Sequence, residues 1–120
     1  FMKKYLAVFV APLEAYDKMK AEMKNRTPEQ RQQEMDAWMK WMDLNKEKII
    51  DHGGGVGSAK RVTEGGIIAD TRNVIGGYMI IQAESAEDAA GIFKDSPHFG
   101  VTGGAVEVME IIQLSILFIL

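Results

Sequence analysis

Alternating and helix-spaced apolar residues divide the chain into segments that predict strands and helices. The apolar segments 3–11, 77–84 and 105–112 have the length of strands, and both alternating sets of their side chains are largely apolar. A weaker, more polar strand is predicted at 57–64, and a loop at 65–75. Since strands with two apolar faces are usually covered on both sides, we expect both faces of this sheet to be covered.

Helical signals fill the gaps between these strands. A short amphipathic helix is predicted over 13–25. A second helix is expected to start after Thr27, because Thr27 and Gln30 can form a capping box, and to run to about Asp51. A third helix is predicted to be capped by Ser85. Three helical segments therefore fall between the first and the last strand.

The order of these elements predicts the fold class. Counting the first two helices as one segment, the order is β-α-β-β-α-β, which is typical of an α+β ferredoxin-like domain with a four-stranded antiparallel sheet. Helices cover only one face of such a sheet. The strand at 77–84 carries Tyr78 and Ile80 on one side and Met79 and Ile81 on the other. We therefore expect the sheet of a second copy to cover the open face, giving a twofold homodimer.

Length and composition agree with one domain, assigned to residues 2–112. The net charge of −3 and the lack of a basic patch speak against a nucleic-acid partner. The absence of cysteine fits a cytoplasmic location. Residues 113–120 form an apolar extension, interpreted as an extra strand or a non-native tail, and no membrane partner is expected because a spanning helix needs about 20 residues. Phe1 is interpreted as a vector-derived residue.

The glycine-rich stretch at 49–60 is predicted to be structural. Its spacing matches neither a phosphate-binding loop nor a dinucleotide-binding loop, and no esterase nucleophile motif accompanies it. Gly53 is expected to end the second helix in a left-handed conformation. His52 would then lie near the helix C-terminus and interact with the helix dipole when protonated.

The segment KDSPHFG at 94–100 contains the first candidate pair, Asp95 and His98. A carboxylate next to an imidazole fixes the tautomer of the ring and suits a general acid or base. The alternative is that Asp95 only ends a helix and that His98 lies in a loop without a catalytic role. Trp38 lies on the apolar stripe of the second helix and Trp41 at its edge, where they can line a binding site or pack in the core.

Two further polar residues are candidates for contact with a small molecule. Arg72 can bind a carboxylate or a phosphate, and Tyr78 can offer its hydroxyl group to a pocket. The alternative is a hairpin turn in which Arg72 faces solvent. The two histidines lack metal-ligand spacing, so neither a metal nor a cofactor is expected.

A resemblance to a known family supports this picture. Five stretches resemble, in order, the YCII-related family of the dimeric α+β barrel superfamily, and together they span residues 2–111: MKKYLAVFVAP, MDAWMKWMD, DTRNVIGGYMIIQAES, AAGIFKDSPHF and GGAVEVMEI. The resemblance implies a ferredoxin-like protomer, a homodimer with face-to-face sheets, and a pocket between sheet and helices.

The resemblance also implies a chemistry, since some members are thought to use a histidine–aspartate pair in acid–base catalysis. Asp95 matches the family's aspartate after the second helical region, whereas residues 13–51, where the partner histidine would lie, contain none. We therefore predict a homodimer that binds a small organic molecule, with His98 as proton carrier and Asp95 as its orienting partner in a hydrolytic or isomerising reaction. The alternative is a non-catalytic ligand-binding or interaction module of the same fold.

Overall fold

The computed structural model describes residues 1–112, so the predictions for residues 113–120 lie outside the described part. Six strands, three helices and one 3-10 turn make up this part of the chain. In chain order they are β1 Lys3–Val10, α1 Leu13–Met23, α2 Pro28–Leu44, β2 Ile49–Gly55, β3 Ala59–Thr63, β4 Ile67–Thr71, β5 Ile75–Ala83, α3 Ala86–Gly91, the 3-10 turn Pro97–Gly100 and β6 Ala105–Glu110.

Four of the strands form one antiparallel sheet in the order β2-β5-β1-β6. With α1 and α2 after the first strand and α3 before the last, this is the arrangement of a ferredoxin-like domain. The predicted α+β fold is confirmed. Strands β3 and β4 pair only with each other, as a separate hairpin inserted between β2 and β5.

The local helix-start signals are confirmed at atomic level. The Thr27 side chain accepts a hydrogen bond from the backbone of Gln30, and the Gln30 side chain accepts one from the backbone of Thr27. The Ser85 side chain caps α3 by accepting a hydrogen bond from the backbone of Asp88. Each cap satisfies an amide that the first helical turn leaves without a partner.

The predicted end of the second helix is wrong. Helix α2 stops at Leu44, where the Asn45 side chain donates to the carbonyl oxygen of Trp41 at 2.8 Å. The chain then enters β2, which pairs with β5. The strand predicted at 57–64 is displaced from the main sheet into the hairpin, and part of the predicted loop at 65–75 becomes the second hairpin strand.

Gly53 therefore has a different role from the one predicted. It lies within β2, with a positive φ of 59°, where the pairing with β5 is irregular. A Cβ atom at this position would lie 2.0 Å from the carbonyl oxygen of Tyr78. Glycine allows the two backbones to approach at this bulge. His52 also belongs to the strand, so its predicted interaction with a helix dipole is wrong.

The core lies between the sheet and the helices. Trp41 stacks on Phe93 with ring centroids 5.3 Å apart, and both side chains are buried. The sheet supplies the rest of the buried layer, namely Tyr5, Ala7, Phe9, Met79, Ile81 and Ala83. This layer fixes the helices over one face of the sheet.

The opposite face of the sheet is also largely apolar. Strand alternation puts Leu6 and Val8 of β1 on this face, together with Tyr78 and Ile80 of β5. Leu6 and Ile80 are half-buried, and Tyr78 is 37% exposed. The prediction that both faces carry apolar side chains is therefore correct for these central strands.

Candidate functional site

A cavity of about 570 Å³ opens between the helices and one end of the sheet. Its volume falls within the range of about 300–1,000 Å³ that small-molecule sites occupy. It is lined by Phe9, Tyr16, Met19, Arg26, Glu34, Ala37, Trp38, Met42, His52, Gly54, Gly55, Gly76, Gly77, Tyr78, Met79, Pro97, His98, Gly100 and Val101. Most of this lining is apolar or bare backbone, with a few polar side chains.

The 3-10 turn at Pro97–Gly100 positions His98 at this cavity. Ser96 caps the turn, its side chain accepting a hydrogen bond from the backbone of His98 at 3.2 Å. The buried imidazole donates through Nε2 to the carbonyl oxygen of Val10 at 2.8 Å. Because a carbonyl only accepts, this contact requires the tautomer that carries the proton on Nε2.

In the neutral ring, the second nitrogen of His98, Nδ1, is then a hydrogen-bond acceptor. Within residues 1–112, Nδ1 has no hydrogen-bond partner, and no fully buried side-chain nitrogen or oxygen lacks one. Nδ1 therefore keeps access to solvent, and His98 lines the cavity. The arrangement holds the imidazole in place at the cavity and leaves Nδ1 without a partner among the described residues.

Gly104 packs closely against the 3-10 turn that carries His98. A Cβ atom on Gly104 would lie 3.0 Å from the carbonyl oxygen of His98 and 3.3 Å from its ring carbon Cδ2. The Gly104 amide also donates to the carbonyl oxygen of Val101, 2.9 Å away. Only glycine lets the start of β6 lie this close to the turn.

Trp38 forms one wall of the cavity. Its indole is half-buried and contacts Phe9 edge to face, with centroids 5.4 Å apart and planes at 89°. It meets Trp41 in a similar geometry at 6.1 Å and 77°. These perpendicular contacts fix the ring in place.

Four glycines form part of the strand side of the cavity. Gly54 and Gly55 belong to β2, and Gly76 and Gly77 belong to β5. Gly55 is paired with Gly77, which in turn is paired with Phe9 on the face that the helices cover. In place of side chains, these positions offer bare peptide groups to the cavity.

Tyr16 closes the cavity beside the Gly76 backbone. Its hydroxyl donates to the carbonyl oxygen of Val74 at 3.0 Å. Burial raises the pKa of Tyr16, partly offset by a backbone hydrogen bond with Gly76. The hydroxyl therefore stays protonated and acts as a fixed donor.

The charged groups at the cavity are largely paired. Arg26 forms an ion pair with Glu34, and both side chains line the cavity. His52 is exposed on β2. The charge pattern therefore gives no strong preference for an anionic or a cationic ligand.

The sequence of this domain also matches a known protein family. The family model for the YCII-related domain matches residues 10–115. The chain belongs to the YCII-related family. No curated protein matches the chain. In this YCII-related domain, no helix within residues 1–112 is long and apolar enough to span a membrane.

The structure separates the two residues that were predicted to act as a pair. In this YCII-related domain Asp95 lies outside the cavity, in a second depression on the α3 side that Trp41 also lines. No ion pair joins Asp95 to His98 among residues 1–112, and the Nε2 partner is the Val10 carbonyl. The hydrogen-bond partner of the His98 ring is therefore the Val10 carbonyl and not Asp95.

The predicted ligand-contacting side chains also separate. Trp38 lines the cavity of the YCII-related domain, whereas Trp41 is buried in the core. Arg72 forms an ion pair with Asp17 of α1 at 2.7 Å and is not part of the cavity lining. This contact lowers the pKa of Asp17. Tyr78 lines the cavity, although strand alternation turns its side chain away from that of Met79.

Sequence reasoning missed several parts of this YCII-related site. Tyr16 falls in the amphipathic helix predicted over 13–25 and was not a candidate site residue, and His52 was assigned to a helix end. The glycine-rich stretch at 49–60 was predicted to be only structural, and its pairing with the glycines of β5 is a long-range contact that local patterns do not reveal. Two glycine clusters in one sequence, GGG at 53–55 and GG at 76–77, are the signal that could have indicated close backbone pairing.

Proposed function

We propose that this YCII-related domain binds a small organic molecule in the cavity between Trp38 and His98, and that Nδ1 of His98 accepts a hydrogen bond or a proton from it. The observation that carries the proposal is the hydrogen bond from Nε2 to the Val10 carbonyl oxygen, which fixes the tautomer. A buried imidazole held in this way is suited to act as a general base.

The chemistry of the proposal rests on His98 alone. A ligand O–H or N–H group donates to Nδ1, and full proton transfer gives an imidazolium that still donates to Val10. This is the first step of a hydrolytic or isomerising reaction, with Val10 rather than Asp95 as the orienting partner. A non-catalytic binding module is the alternative, and the separation of Asp95 from His98 favours it.

Binding of 2-naphthol tests the proposal, with 2-methoxynaphthalene as a probe that lacks the hydroxyl donor. We expect the wild-type domain to bind 2-naphthol about tenfold more tightly in isothermal titration calorimetry, or about 1.4 kcal/mol. His98→Ala should abolish this preference, because the acceptor is lost. Asp95→Ala is the matched control and should retain it, since Asp95 lies outside the cavity.

Two outcomes contradict the proposal. One is that neither probe binds the wild-type domain. The other is that Asp95→Ala removes the preference for the hydroxyl group as completely as His98→Ala does. Circular dichroism of each variant establishes that the fold is retained, and His98→Gln provides a second variant if alanine destabilises the turn.

We also propose that two copies pair through the sheet face that carries Leu6 and Ile80. Light scattering at micromolar concentration should give twice the chain mass of 13.3 kDa. Ile80→Glu should give single chains, because the interface would bury an unpaired charge. Met39→Glu, on an exposed position of α2, should leave the dimer intact. A wild-type particle of 13.3 kDa would contradict the proposal.

A further inference from the structure

We infer that the cavity binds a flat, uncharged aromatic ring that carries a hydroxyl or N–H donor. This inference rests on the proposed function and names the class of molecule. It is drawn from three features of the cavity: a patch of four glycines on its strand side, a tryptophan on which no other ring of the described residues stacks, and an ion pair, Arg26–Glu34, whose two charges already neutralise each other.

On the strand side, the four glycines of β2 and β5 form a patch of bare peptide groups next to the side chains that the strands also contribute. The Cβ position of Gly55 points to the face that Phe9 and the helices share, through the pairing of Gly55 with Gly77. The nearest atom to a Cβ at Gly55 is the Gly76 carbonyl oxygen at 3.6 Å, an ordinary contact. The fold would therefore accept a side chain at Gly55, and the space that its absence leaves belongs to the cavity.

Trp38 supplies the second surface for a ring. Its two aromatic neighbours, Phe9 and Trp41, meet it at 89° and 77°, so both contacts are edge to face. Among residues 1–112, no ring stacks flat on the Trp38 indole. Since aromatic rings also prefer offset stacking, a flat ligand ring can make the contact that the protein leaves open.

Most polar groups of the cavity already have a partner, which favours an uncharged molecule that carries a donor. Arg26 is already paired with Glu34, so neither side chain demands a charged partner. Tyr16 donates to the Val74 carbonyl oxygen, and Nε2 of His98 donates to Val10. In the neutral ring, Nδ1 of His98 accepts a hydrogen bond, which a phenol-like hydroxyl or a ring N–H can donate.

The test compares 2-naphthol with decahydro-2-naphthol, which has the same skeleton and hydroxyl but puckered, saturated rings. We expect the wild-type domain to bind 2-naphthol at least about tenfold more tightly. Gly55→Ala should lower the affinity for 2-naphthol about tenfold, because the added methyl group occupies the flat surface. Gly57→Ala is the matched control: its Cβ would have no neighbour within 4 Å, Gly57 is not part of the cavity lining, and the affinity should not change.

The possible outcomes separate this inference from the proposal on which it rests. Equal binding of the flat and the saturated alcohol overturns the flat-ring inference and leaves the proposed binding function standing. An unchanged affinity in Gly55→Ala likewise overturns the role of the glycine surface. If neither alcohol binds the wild-type domain, the proposed function and the inference both fail.

Discussion

Replacing Gly53 by alanine is expected to destabilise the domain by at least about 3 kcal/mol. The left-handed conformation of Gly53 costs about 1–2 kcal/mol for a residue with a side chain. In addition, the new Cβ atom would lie 2.0 Å from the Tyr78 carbonyl oxygen, which is backbone and cannot rotate away. Strands β2 and β5 would have to separate, and the cavity between them and the helices would open.

Urea unfolding followed by tryptophan fluorescence measures this effect. Gly54→Ala is the control from the same strand, because its Cβ would have no neighbour within 4 Å. We expect its free energy of unfolding to stay within about 1 kcal/mol of the wild-type value. Equal midpoints for Gly53→Ala and the wild type would mean that β2 does not pack on β5 in the way described.

Trp41→Ala is expected to cost about 3–5 kcal/mol of stability, because it removes a buried indole that stacks on Phe93. Trp38→Ala should cost less, since Trp38 is only half-buried. Its larger effect should be on ligand binding, because its indole lines the cavity. The two tryptophans of α2 thus have separate predicted roles, one in the core and one at the site.

Thermal unfolding and titration with 2-naphthol test this division of roles. Trp41→Phe, which keeps a ring against Phe93, should recover much of the stability that Trp41→Ala loses. The interpretation fails if Trp38→Ala is the more destabilising change. It also fails if Trp41→Phe removes 2-naphthol binding while Trp38→Ala leaves it unchanged.

The fold was largely predictable from local patterns. The largest error in the prediction, the end of the second helix, has a physical reason. The caps at Thr27 and Ser85 involve neighbouring residues, so the sequence alone reveals them. The end of α2 depends on whether Ile49 continues the apolar stripe or starts a strand. Ile49 lies seven residues after Met42, a spacing that fits a helix. Ile49 starts a strand because β2 pairs with β5, and this long-range contact cannot be seen in the local pattern.

The candidate site was only partly predictable, for the same reason. His98 follows a local Ser-Pro turn signal, so its importance could be suspected from sequence. The direction in which the Asp95 side chain points depends on the path of the backbone after α3. The separation of three residues between Asp95 and His98 does not determine it. Whether Trp38 or Trp41 faces the cavity depends on the packing of α2 as a whole. Close sequence spacing is therefore weak evidence for a shared site.

The most direct test of the central claim, that the cavity is the ligand site, is an NMR titration of the nitrogen-15-labelled domain with 2-naphthol. The two indole N–H signals, assigned with Trp41→Phe, report on two different places. Our account predicts a large shift of the Trp38 signal and of the Gly55 and His98 amides, with little change at Trp41 and Asp95. Shifts centred on Trp41 and Asp95, which line the second depression, would contradict it.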